Sequence, residues 1–96
     1  MQFVYTAKQW RERFRRCNSP AQRDALIGPP INLAARMLGI TRGRIAQLIR
    51  EDKLDSIVVS DERTQARIAY MISLASPERR HALKRNAGQW QPNEIV

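Results

Sequence analysis

Ile31-Asn32-Leu33-Ala34-Ala35-Arg36-Met37-Leu38-Gly39-Ile40-Thr41-Arg42-Gly43-Arg44-Ile45-Ala46-Gln47-Leu48-Ile49-Arg50 is the stretch on which the reading of this chain turns. Asn32 can cap a helix running to Leu38, and Gly39 stops it. Thr41 can cap a second helix that carries Ile45, Leu48 and Ile49 on one face and ends near Arg50. Ala35 is small enough for the second helix to approach the first. Leu38 and Ile40 flank the turn, and Ile45 with Leu48 seals the pair. Two short helices crossing steeply through a glycine turn need this spacing, which is that of a helix-turn-helix.

Outward from that segment, Pro29-Pro30 breaks any preceding helix and forces an extended approach to Ile31. Thr6 and Gln9 have capping-box spacing, and Ala7, Trp10, Phe14 and Cys17 recur at helical intervals, which predicts a first helix over about 7–17 with an aromatic core stripe. Ser19, Pro20 and Gln22 predict a second over about 20–27, ending at Gly28. Downstream, Ser56-Ile57-Val58-Val59 favours a strand. The polar run 60–65 fits a hairpin tip, and Ile68, Tyr70 and Ile72 alternate with their neighbours as a return strand. Ser76-Pro77-Glu78 opens a last helix reaching about Asn86, with Gly88 closing it. The expected fold is mainly α with one β-hairpin: about five helices plus a two-stranded wing. It forms a single domain over 1–88, divided into N-terminal helices (1–30), the helix pair and hairpin (31–72) and a C-terminal helix (73–88), followed by a tail at 89–96.

Seventeen Lys and Arg against nine Asp and Glu give a net charge of +8, which points to a polyanionic partner. All the cations but Lys8, Lys53 and Lys84 are arginines, whose planar forks match phosphate oxygens and the guanine edge. The single Cys17 allows no intrachain disulfide and no cysteine-based zinc cluster, which fits a reducing setting. No apolar run approaches a membrane span and no signal-peptide plan is visible, so the expected location is cytoplasmic, at the nucleoid or, for a virus- or plasmid-encoded chain, inside the host cell. His81 has no ligand cluster around it, and Cys17 shares the apolar stripe of Trp10 and Phe14. With no phosphate loop, nucleophile elbow or spaced carboxylate pair, the chain reads as a binding protein, not an enzyme, with no cofactor and no metal.

Three segments together resemble the excisionase and MerR-type winged-helix DNA-binding domains. They are Leu33 to Arg42, then Leu48-Ile49-Arg50-Glu51-Asp52-Lys53-Leu54, and Ile72-Ser73-Leu74-Ala75-Ser76. Asp52-Lys53 stands where such domains often carry a glycine. The resemblance covers residues 31–76 only and implies that the second helix lies in the major groove of double-stranded DNA, its N-terminal residues toward the bases. The exposed positions are then Thr41, Arg42, Gly43, Arg44, Ala46 and Gln47, with Arg50 one turn on. Arg42 and Arg44 suit guanine and Gln47 adenine; a phosphate contact fits Arg42 equally and Arg50 better. Arg36, on the first helix of the pair, belongs to the same DNA-binding set. At the wing tip the contact residue is Arg63 with Thr64 and Gln65, or else the tip is an ordinary solvated turn beside Asp61 and Glu62. Arg11, Arg13, Arg15 and Arg16 form either a phosphate clamp or a solvated face. The expected role is that of a small transcriptional regulator or an excisionase-like architectural factor, as a homodimer or multimer on DNA, with no small-molecule effector. The alternative is a protein-protein interaction module that uses the N-terminal helices or the Trp90 tail.

Overall fold

A computed structural model describes residues 1–86, which run β1 (Gln2–Thr6), α1 (Ala7–Arg15), α2 (Pro20–Asp24), α3 (Ile31–Leu38), α4 (Arg42–Arg50), β2 (Ser56–Ser60), β3 (Arg67–Ile72) and α5 (Arg80–Arg85). Among the described residues this is a mixed α/β fold of five helices and one three-stranded sheet, ordered β1-β2-β3. The hairpin expected from the sequence is β2–β3, antiparallel with a register shift at Val59/Ser60. The expected two-stranded, mainly α arrangement needs correction, because β1 adds a third strand parallel to β2, pairing Phe3 with Ile57 and Tyr5 with Val59. Parallel neighbours need a long crossover, here supplied by α1 to α4. None of the described helices is long and apolar enough to cross a membrane.

β1 leads straight into α1. The Thr6 hydroxyl accepts from Gln9 N–H at 3.2 Å while the Gln9 side chain accepts from Thr6 N–H at 3.1 Å, which is the capping box read from the sequence. Trp10 is buried, its Nε1–H donates to the Leu26 carbonyl at 2.8 Å, and its ring lies 5.6 Å from that of Phe14. α1 stops at Arg15, short of Cys17, and the Cys17 thiol donates to the Arg13 carbonyl at 3.2 Å.

α2 is also shorter than expected and ends at Asp24. The chain leaves it to run beside β3: the Ile27 carbonyl accepts from Leu74 N–H at 3.0 Å, the Pro29 carbonyl accepts from Ile72 N–H at 2.9 Å, and Pro30 bridges Met71. This explains Gly28 differently from a helix stop. A Cβ there would fall 1.5 Å from the Ile72 carbonyl oxygen, so glycine is required by the approach of two backbones. The prolines lack the donor that this edge does not use.

α3 begins at Ile31, so Asn32 lies within the first turn and caps nothing; Pro30 precedes the helix with no side-chain cap bond. Its end is as read: Gly39 takes a left-handed φ of 68°, and Ile40 N–H donates to the Ala35 carbonyl at 3.0 Å. Thr41 then caps α4, its hydroxyl accepting from Arg44 N–H at 3.1 Å. α4 closes with the same motif, Lys53 N–H donating to the Leu48 carbonyl at 2.9 Å, but Asp52 holds the left-handed position at φ 61°. The two helices meet through Ala34, Ala35, Ile45 and Leu48, all buried and continuous with Leu54, Ile57, Met71, Ile72 and Leu83.

The last helix differs from its expected start. Ser76 is buried and its hydroxyl donates to the Ser73 carbonyl at 2.8 Å while accepting from Asp55 N–H at 3.0 Å, so it is not available as a cap. Glu78 N–H is drawn to the Lys53 carbonyl at 3.2 Å, and α5 starts only at Arg80 after a left-handed Arg79. Lys84 pairs with Asp24 at 2.7 Å and ties α5 to α2. The expected helix stop at Gly88 and the tail 89–96 with Trp90 lie outside the described residues.

Candidate nucleic-acid interface

α4 turns Ile45 and Leu48 inward and half-buries Ile49. What remains outward follows from 3.6 residues per turn: Arg42, Gly43, Ala46, Gln47 and Arg50 fall on one stripe. All but the half-buried Ala46 are exposed, and Thr41 is exposed at the cap. The ridge is cationic at both ends, small in the middle and amide-bearing at Gln47, and the first turn of α4 carries no acid. Partial positive charge from its free N–H groups adds to that of Arg42.

Arg44 stands apart from this stripe. It is half-buried, and its guanidinium lies 3.8 Å from the Glu51 carboxylate, which also faces Lys53 at 3.7 Å. Of the two arginines matched to guanine from the sequence, only Arg42 therefore lies on the exposed stripe. Arg36 is exposed on α3.

Among the described residues Gly43 has no packing reason. A Cβ built there meets nothing nearer than the Thr41 hydroxyl oxygen at 3.9 Å, and its φ is not left-handed. Beside it, Ile31, Arg42, Ile45, Ala46 and Tyr70 line with Gly43 an open surface hollow of about 330 Å³. Arg67 lies over the Tyr70 ring, 4.9 Å from its centroid. The sequence places Arg67 and Tyr70 on the return strand but not at the interface; the bulge at Val59/Ser60 that shifts this end of β3 has no local signature.

The hairpin tip resolves the problem posed by its two acids. Asp61 Oδ1 accepts from Arg63 N–H at 2.8 Å and from Thr64 N–H at 3.0 Å. The backbone N–H groups of Thr64 and then Arg63 hold the Asp61 carboxyl below the ordinary carboxylate range. Glu62 reaches across to accept from Lys8 N–H in the first turn of α1. Both carboxylates thus serve internal donors, while Arg63, Thr64 and Gln65 stay exposed. The Asp61-x-x-Thr64 spacing is the local signal for this turn.

Arg11, Arg13 and Arg15 of α1 and Arg16 at its C-cap are all exposed. Arg13 lies 5.3 Å from the centre of the Tyr5 ring, and with Arg16 it lines a groove of about 800 Å³ alongside Phe3, Tyr5 and Leu26. His81 is exposed on α5, and among the described residues no cluster of His, Cys, Asp or Glu could hold a metal ion.

No family model, no curated protein and no solved structure matches the chain.

Proposed function

We propose that this chain is a winged helix-turn-helix protein that binds double-stranded DNA sequence-specifically, with α4 in the major groove and the β2–β3 tip on the adjacent backbone or minor groove. Within that class the excisionase and MerR-type resemblance of residues 31–76 favours a small transcriptional regulator or an excisionase-like architectural factor, working at the nucleoid in the cytoplasm. No catalytic step, cofactor or effector is part of the proposal.

The observation that carries it is the Arg42-Gly43-Ala46-Gln47-Arg50 stripe. It is outward-facing, free of acids, and contains a glycine that weakens the helix while its own fold leaves the space beside it open. A close-fitting external surface gives that glycine a purpose. The net charge of +8 and the internally engaged Asp61 and Glu62 support the same partner.

Fluorescence anisotropy with labelled duplexes over a salt series tests the proposal. Neutralising six to ten phosphates makes affinity fall by about 10³–10⁵ between low and moderate salt. Simultaneous Arg42→Ala, Arg44→Ala and Gln47→Ala should abolish discrimination between a selected site and random duplex. Undiminished specific binding by that variant refutes the assignment of α4.

The second reading, docking of a partner protein, is favoured by the groove along Phe3, Tyr5, Arg13 and Arg16. It predicts that the triple variant keeps its partner, while substitutions at Arg13 and Arg16 lose it.

A further inference from the structure

We propose that the hollow beside α4 receives the methyl-bearing edge of a 5-methylpyrimidine, so that the protein reads thymine by contact with its methyl group. The inference rests on the DNA-binding reading and adds to it a specific chemistry for Gly43, Ala46 and Tyr70.

Gly43 and Ala46 belong both to the exposed stripe and to the lining of the hollow, so the recess opens on the surface that faces the groove. Its other walls are Ile31, Ile45 and the Tyr70 side chain, and Arg42 stands among them. Arg67 stacks on Tyr70, one of the lining residues, 4.9 Å from its ring centroid. A recess lined mainly by apolar residues, with the Arg42 cation among them, suits an apolar group carried on a polyanion.

The major groove offers few such groups. Guanine and adenine present acceptors and donors there, and cytosine presents an amino group; each would lose its water against Ile31 and Ile45 without gaining a partner. The 5-methyl group of thymine is the apolar feature of the major-groove code, and 5-methylcytosine carries the same group. A side chain at position 43 would stand beside this recess, in space that the glycine leaves to the incoming base, which gives a chemical reason for the residue. Gln47, one turn along the stripe from Gly43, suits an adjacent adenine.

The test uses a duplex selected from a random library, resynthesised with uracil replacing each thymine in turn. In a second set, each T·A pair that responds is replaced by C·G with or without 5-methylation of the cytosine. Competition anisotropy should show threefold to fivefold weaker binding when uracil replaces the thymine at the hollow, the effect of one buried methyl. A response in the uracil set alone assigns thymine, and a matching gain on cytosine methylation assigns any 5-methylpyrimidine. Equal affinity for thymine and uracil at every position overturns the proposal while leaving DNA binding intact. Absence of duplex binding even at low salt overturns the underlying functional reading instead. In Ala46→Asn, shown to be folded by circular dichroism, the thymine-to-uracil ratio should fall to about one; an unchanged ratio also overturns the proposal.

Discussion

Replacing Gly43 by Ala separates what the fold needs from what the partner needs. Position 43 is the second residue of α4, with helical backbone and open space where the Cβ would sit, the nearest atom being the Thr41 oxygen at 3.9 Å. Alanine therefore introduces no clash and removes the entropic penalty of glycine, worth about 0.5–1 kcal/mol in a helix. For a domain of this size that corresponds to a rise in Tm of roughly 2–8 °C. Binding should move in the opposite direction. In the proposed complex the new methyl stands on the ridge that faces the groove floor, and losing one well-formed base contact costs about 1–3 kcal/mol. At 1.4 kcal/mol per decade, affinity for a selected duplex falls about fivefold to a hundredfold. Thermal unfolding by circular dichroism and anisotropy on the same preparation give the two numbers. A variant that is more stable and binds as tightly as the parent refutes the argument that Gly43 serves close approach. A variant that melts lower refutes the open space at that position.

Gly28→Ala should instead destabilise by about 3 kcal/mol or more, since its methyl would overlap the Ile72 carbonyl and force apart two hydrogen-bonded backbones; a denaturant midpoint close to the parent's contradicts this. Asp52→Gly should stabilise by roughly 0.5–1 kcal/mol, because the left-handed φ of 61° suits glycine and outweighs the loss of an exposed ion pair with the Met1 ammonium at 2.9 Å; a lower Tm contradicts it. The depressed Asp61 pKa means that its tip bonds contribute order fully above the ordinary carboxylate range and lose it as pH falls through the lowered value. Amide resonances of Thr64 and Arg63 should therefore titrate together with Asp61, below the ordinary carboxylate range, and titration at or above that range contradicts the turn geometry.

Features written in short-range residue chemistry were legible in the sequence. Gly39 after Leu38, Thr41 before Arg42 and the Thr6/Gln9 pair each act within a few residues, and each appears in the structure with its expected bond. The misread features depend on partners far along the chain. β1 exists because Phe3 and Tyr5 meet Ile57 and Val59, and nothing near residue 3 announces a parallel neighbour fifty residues away. Ser76 looked like a cap because Pro77 and Glu78 follow it, but Ser73 and Asp55 engage its hydroxyl through a corner assembled only on folding. Gly28 looked like a helix stop because the close approach of Ile72 is a tertiary fact.

The candidate interface divides the same way. The exposed stripe of α4 follows from helical period alone, so Arg42, Gly43, Gln47 and Arg50 could be chosen from the sequence. Helical period also puts Arg44 off the stripe, on the face of Glu51 two turns on, but it does not reveal that Glu62 leaves the hairpin tip to meet Lys8. These contacts set which charges remain on each surface.

A titration of ¹⁵N-labelled protein with a short selected duplex, followed by amide shifts at low salt, tests the placement of α4 most directly. The account predicts that the largest changes fall on residues 41–50, with a second set at 61–67 on the hairpin. Changes confined to residues 7–24, or spectra unmoved by duplex, would contradict it.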